Sequence, residues 1–93
     1  MATSTAPRFT DLQGQYLAFI HAYTLVNGRP PAEVDMQRFF GVTPPSVHNM
    51  VKALDRLGLV TRAPGQARSL AVAVPEDELP RLRQPIKTSG AEY

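Results

Sequence analysis

The sequence contains no cysteine in its 93 residues. That excludes a disulfide framework and a thiolate zinc site, and it suits a reducing cytoplasm. Long apolar runs are missing as well: none approaches the roughly 20 residues that a membrane span needs. Met1 to Pro7 is small and polar and lacks the apolar segment of a secretory signal. Histidine is scarce. His21 and His48 fall on separate predicted helices without a paired carboxylate motif, so neither a nucleophile–base constellation nor a metal site is expected. His21 lies off the apolar stripe of its helix and is expected in solvent. No glycine-rich phosphate loop is present. The expectation is one small domain with a modest core, no cofactor and no enzymatic activity.

Acidic residues are thin in one stretch. The formal net charge is only +2. Between Thr43 and Val74, however, Lys52, Arg56, Arg62 and Arg68 are opposed by Asp55 alone, a local excess of three positive charges. No acid follows Arg56 until after Pro75. A concentrated positive excess on a contiguous piece of chain is the footprint of an anionic partner.

Nine prolines supply the punctuation, because proline breaks helix interiors and central strands. A first helix is predicted from near Thr10, with Thr10 and Gln13 as a capping box. Leu12, Tyr16, Phe19, Ile20 and Tyr23 form its apolar stripe, and Asn27-Gly28 ends it. Arg29-Pro30-Pro31 must be extended. A second, short helix is predicted over about 32–40, with Val34, Phe39 and Phe40 as its apolar surface and Gly41 closing it. The third helix begins at Thr43 as N-cap with Pro44 in the first helical position. Val47, Met50, Val51, Leu54 and Leu57 repeat along it. Leu59 to Arg62 and Arg68 to Val74 read as strands around a turn at Ala63-Pro64-Gly65-Gln66-Ala67, with Leu70, Val72 and Val74 alternating against smaller residues. Beyond Pro75 the chain is acidic, then basic, with prolines interleaved and no amphipathic period. The expected organisation is a flexible N-terminus over 1–8, a domain over 9–75 and a flexible tail over 76–93, the tail being alternatively a short dimer contact.

Helix, extended piece, helix, turn, helix and hairpin is the order of a winged helix-turn-helix: mainly α with a small β part (α+β), three helices plus a β-hairpin wing. In such motifs the second helix of the pair lies in the major groove. At about 100° per residue, the face of the third helix opposite Val47, Val51 and Leu54 carries Pro45, His48, Asn49, Lys52 and Arg56, with Ser46 at its edge. Asparagine can pair bidentately with adenine, and lysine or arginine with guanine or phosphate. A polar face alone is what any exposed helix shows. The element order adds weight, as do Arg62 and Arg68 flanking the hairpin turn with Gln66, where arginines reach phosphates or the minor groove.

Asn27-Gly28-Arg29-Pro30-Pro31, Phe40-Gly41-Val42-Thr43 with Val51-Lys52-Ala53-Leu54, and Gly58-Leu59-Val60-Thr61-Arg62 before Gly65-Gln66-Ala67-Arg68-Ser69-Leu70 resemble the DNA-binding domain of LexA-type repressors. The likeness runs from Gln15 to Val74; a looser one exists to the winged-helix units of MarR-type regulators. The LexA resemblance implies operator binding by the third helix, with Thr43, Pro45, Ser46, His48 and Asn49 at the groove. Those repressors carry acidic side chains where His48 and Asn49 stand, so a different operator is implied, and their turn before the third helix is one residue longer. They also continue into a self-cleaving serine–lysine peptidase domain. A chain of this length leaves no room for one, so an autoproteolytic switch is not expected.

The function expected from these readings is sequence-specific binding of double-stranded DNA by a small bacterial transcriptional regulator, cytoplasmic and nucleoid-associated, with a weak homodimer or paired binding on an inverted repeat. The alternative is a winged-helix protein-interaction module without DNA activity, because fold does not fix function. Leu17 and Leu25, off the main stripe of the first helix, are its candidate contact surface. RNA binding is a weaker third reading, since the aromatic residues occupy predicted core positions and leave no stacking platform.

Overall fold

The computed structural model describes residues 8–63, 65–66 and 68–84. Most of the expected N-terminal arm, Pro64 and Ala67 of the expected turn, and positions 85–93 of the expected tail lie outside the described residues. Helix α1 (Asp11–Asn27), helix α2 (Glu33–Phe40) and helix α3 (Pro44–Arg56) are followed by strands β1 (Val60–Thr61) and β2 (Ala71–Val72) and a short 3-10 turn at Glu76–Glu78. This is the winged helix-turn-helix order.

Each helix starts where its cap chemistry places it. The Thr10 hydroxyl accepts from the Gln13 N–H at 3.1 Å, and the Gln13 side chain accepts from the Thr10 N–H at 2.9 Å. Two of the amide groups left unpaired at the helix start are thereby satisfied. At α2 the Asp35 carboxylate accepts from the Ala32 N–H at 2.8 Å. At α3, Pro44 occupies the first turn after an extended Thr43. Gly41 ends α2 at φ 67, and its N–H and that of Val42 both reach the Gln37 carbonyl. That left-handed turn carries little steric cost only for a residue without Cβ. It lets α3 follow α2 after three residues.

The core is built from Leu17, Ile20, Met36, Val47, Val51 and Leu54 on the helices and Leu59, Val60, Leu70 and Val74 on the hairpin. Tyr16 stacks on Phe40 with centroids 4.1 Å apart, and Phe19 on Phe39 at 4.7 Å, joining α1 to α2. Desolvation raises the Tyr16 phenol pKa above its ordinary value. The burial pattern corrects three expectations. Leu17, expected at a contact surface, is completely buried, whereas Leu12, placed in the stripe, is 53% exposed. Gly14 to Ile20 are all buried, because α1 is covered on several sides and a single stripe does not describe it. Met36, rather than Val34, is the fully buried side chain of α2.

The hairpin pairs antiparallel with Val60 opposite Val72 and Thr61 opposite Ala71. It is shorter than the alternation predicted. Arg68 takes a left-handed backbone at φ 57, the only non-glycine to do so among the described residues. The Ser69 hydroxyl accepts from the Ala63 N–H at 2.9 Å, satisfying across the loop a group that a longer ladder would have used.

The segment from Glu76 to Gln84, expected as part of a flexible tail, is instead laid across α1. Leu79 and Leu82 pack on the core. The buried Gln15 side chain donates to the Arg81 carbonyl at 2.9 Å and accepts from the Arg83 N–H at 2.8 Å. Arg83 pairs with Asp11 at 2.8 Å and Arg8 with Glu78 at 3.1 Å. A Cβ on Gly14 would stand 3.0 Å from both the Phe9 ring and Pro80, so the close passage of this strap needs a glycine there. His21, expected in solvent, is half-exposed with its Nε2 3.5 Å from Glu76.

Candidate nucleic-acid interface

Val47, Val51 and Leu54 turn inward from α3. That fixes the opposite face, where Pro45, Ser46, His48, Asn49, Lys52 and Arg56 are all exposed, with Thr43 exposed just before them. The helix period therefore gathers these expected site residues on one surface. Thr43 does not cap α3 through its side chain; its hydroxyl lies 3.0 Å from that of Ser46, and either can donate. Among the described residues, no hydrogen bond or ion pair ties the side chains of Asn49, Lys52 or Arg56. They are the members of the face most available to an incoming group.

The remaining basic residues of the expected site each meet an acid borne on another element. His48 Nδ1 is 3.5 Å from a Glu33 oxygen on α2. Arg62 Nε is 3.3 Å from Asp55 on α3, with both side chains more than a third exposed. A pair so open to water is worth about 0–1 kcal/mol, so Arg62 can exchange Asp55 for a phosphate at little cost. Gln66 and Gly65 are exposed at the wing tip.

Arg68 departs from its expected position. Its Nη1 donates toward Asp35 at 3.1 Å, the Tyr23 hydroxyl at 3.3 Å and the Pro30 carbonyl at 3.3 Å. The side chain folds back between the helices instead of extending from the wing. The hydrogen bond from the Ala32 N–H, joined by the Arg68 charge, holds the Asp35 carboxyl below its ordinary range against the opposing effect of burial. Hydrogen bonding to the Tyr23 hydroxyl, with the Asp35 charge, pushes the Arg68 guanidinium up. The sequence suggested an unopposed arginine because no acid lies near it in the chain; Asp35 is 33 residues away. The acid-bearing first turn of α2, with Glu33 and Asp35, was the one available signal.

Among the described residues, no group of three or more His, Cys, Asp or Glu is placed to hold a metal, and no helix is long and apolar enough to cross a membrane. The site is thus an exposed helix face of mixed hydrogen-bonding capacity beside a hairpin carrying Arg62. The family model described as LexA DNA binding domain matches residues 7–69. The chain belongs to this family. The matched segment spans α1, α2, α3, β1 and the wing loop, and so contains the whole α3 face.

The LexA-family chain is similar to the LexA repressor of Thermosipho melanesiensis, at 32% identity over 72 residues, covering 77% of this chain and 36% of the relative. It is similar to that of Oleidesulfovibrio alaskensis at 38% over 63 residues, covering 68% and 30%. The LexA repressor of Thermobifida fusca matches at 30% over 92 residues, covering 97% and 36%. That last match is long enough to include the strap over α1. The chain spans about a third of the length of these relatives.

Proposed function

We propose that this LexA-family domain binds double-stranded DNA sequence-specifically and regulates transcription, with α3 in the major groove and the wing against the backbone beside it. The observation that carries the reading is the α3 face itself: Ser46, His48, Asn49, Lys52 and Arg56 exposed together, with no acid of α3 at its centre. An α-helix fits the major groove, where each base pair presents its own pattern of donors and acceptors. Asn49 and His48 supply base-edge chemistry; Lys52, Arg56 and Arg62 supply phosphate contacts. The work is binding without catalysis, in the cytoplasm on the nucleoid, and two copies occupy one inverted repeat.

The test is enrichment of bound duplexes from a random pool, followed by affinity measured against salt. A sequence motif with an affinity that falls on rising salt supports the reading. Retention on neither heparin nor any duplex would overturn it and leave the protein-interaction reading, for which Leu25 and Val26, 76% and 81% exposed, offer an apolar surface.

A further inference from the structure

We propose that Arg68 is a positioning residue that fixes the wing relative to the helix-turn-helix, and that it makes no contact with the nucleic acid itself. This rests on the DNA-binding reading above and says how the two halves of that surface are held in register.

The geometry has three parts. First, the wing loop is closed on itself. The Ser69 hydroxyl accepts from the Ala63 N–H at 2.9 Å and lies 3.0 Å from the Gln66 carbonyl and 3.3 Å from that of Ala63, so one side chain spans the turn. Secondly, the adjacent Arg68 ties that closed loop to the rest of the domain. Its Nη1 has two N–H groups shared among three acceptors: the Tyr23 hydroxyl near the end of α1, the Pro30 carbonyl of the connection, and the Asp35 carboxylate of α2. Thirdly, Asp35 serves both ends of the linkage, because the same oxygen that meets Arg68 accepts from the Ala32 N–H at the start of α2. The left-handed backbone of Arg68 is consistent with this: an unfavourable conformation for a side-chain-bearing residue persists where surrounding contacts over-determine it. Only two residue pairs join β1 to β2. A ladder so short leaves the orientation of the tip, with Arg62 and Gln66, dependent on this anchor.

An anchor and a phosphate contact make opposite predictions at Asp35. If Arg68 served the duplex, Asp35 would compete for it, and Asp35→Asn would strengthen binding. If Arg68 is an anchor, Asp35→Asn weakens binding, although it removes a negative charge. Asparagine keeps an acceptor for the Ala32 N–H, so the α2 cap survives.

The experiment compares Asp35→Asn, Arg68→Ala and Arg68→Lys with Arg62→Ala. Affinity for the selected duplex is measured at several salt concentrations, well below each variant's melting temperature. Arg62→Ala is expected to lower the log–log salt slope by about one unit. Asp35→Asn and Arg68→Ala are expected to weaken binding roughly tenfold with the slope unchanged. In both, protection beside the wing and in the major groove under α3 is kept at saturating protein, because the same phosphates are met by a wing that must first be ordered. Lysine, with a single point charge in place of the planar fork, restores Arg68 only in part. In the free protein, the hydrogen-bonded amides of Ala63 and Gln66 exchange faster in Asp35→Asn while those of α3 are unchanged.

A slope lowered by about one unit in Arg68→Ala, or tighter binding by Asp35→Asn, would overturn the proposal. So would wing amides that exchange at the wild-type rate. If the wild type itself bound no duplex, the DNA-binding reading would fall, and the amide exchange would still decide whether Arg68 holds the wing.

Discussion

Asn49 is exposed at the middle of the α3 face with no partner for its amide among the described residues. Its carboxamide offers a donor and an acceptor side by side, the pattern that adenine complements in the major groove. Asn49→Ala should cost about 1–3 kcal/mol on the preferred duplex and relax preference at one base position. Equal losses on every sequence would reassign the residue to the backbone. His48 differs because Glu33 stands 3.5 Å away, so it must leave or share that neighbour to reach a base. Asp35 permits a prediction about pH. Its folded-state pKa is depressed, chiefly by the Ala32 N–H and then by Arg68. Its contribution to stability is therefore complete above the ordinary carboxylate pKa of about 3.9 and lost as pH falls through the lowered folded value. Thermal melts of wild type and Asp35→Asn between neutral and acid pH should converge at the acid end. A gap that stayed constant or widened there would mean that the Asp35 charge is not what stabilises the fold.

At the scale of elements, the strap over α1 carries the clearest structural consequence. Gln15 is 5% exposed and is joined to the strap backbone at two points, Arg81 and Arg83. Gln15→Ala leaves both backbone groups without that partner in a partly buried place, a loss of about 1–3 kcal/mol. In a domain of this size that corresponds to roughly 4–8 °C in Tm per kcal/mol. Calorimetry on the full chain decides it: an unchanged Tm would mean that the strap adds nothing to the fold. This element was the least legible in the sequence. Its partners lie 66 and 68 residues from it, and two leucines among prolines carry no period. The starts of α1 and α3 were legible because Thr10, Gln13 and Pro44 act on their own neighbours. The α3 face was legible for the same reason, since a 3.6-residue period needs only the helix to be known. The interior of α1 was not: a helix covered on several sides has no single stripe, and so Leu17 and Leu12 exchanged places. Arg68 was misread because its counter-charge arrives from α2, where no local pattern announces it.

For the whole molecule, the decisive quantity is how much duplex one copy can hold. A single module of this kind contacts DNA through roughly 600–1,000 Å² of protein surface. The free basic side chains on that surface are few, Lys52 and Arg56 with Arg62 already near Asp55, and counterion release scales with the phosphates neutralised. One copy should therefore bind weakly and discriminate little at physiological salt. Two copies on one site would multiply the contacts, and two-fold pairing selects inverted repeats with half-sites about one helical turn apart. The fold narrows the surfaces on which such a pair could meet. Leu17 is in the core, and the chain from Glu76 to Gln84 is occupied with α1. Among the described residues the wing remains, and so do Leu25 and Val26, adjacent on the last turns of α1 and exposed at 76% and 81%. The free protein is predicted to be largely monomeric or weakly dimeric, and to occupy an inverted repeat as a pair. Leu25→Ser with Val26→Ser should leave binding to an isolated half-site unchanged and reduce the cooperativity of the second copy. Site selection followed by stoichiometry on the winning duplex is the measurement. A non-repeated site held tightly by one copy would defeat the pairing while leaving recognition by α3 intact. Undiminished cooperativity in the double variant would move the contact away from the end of α1.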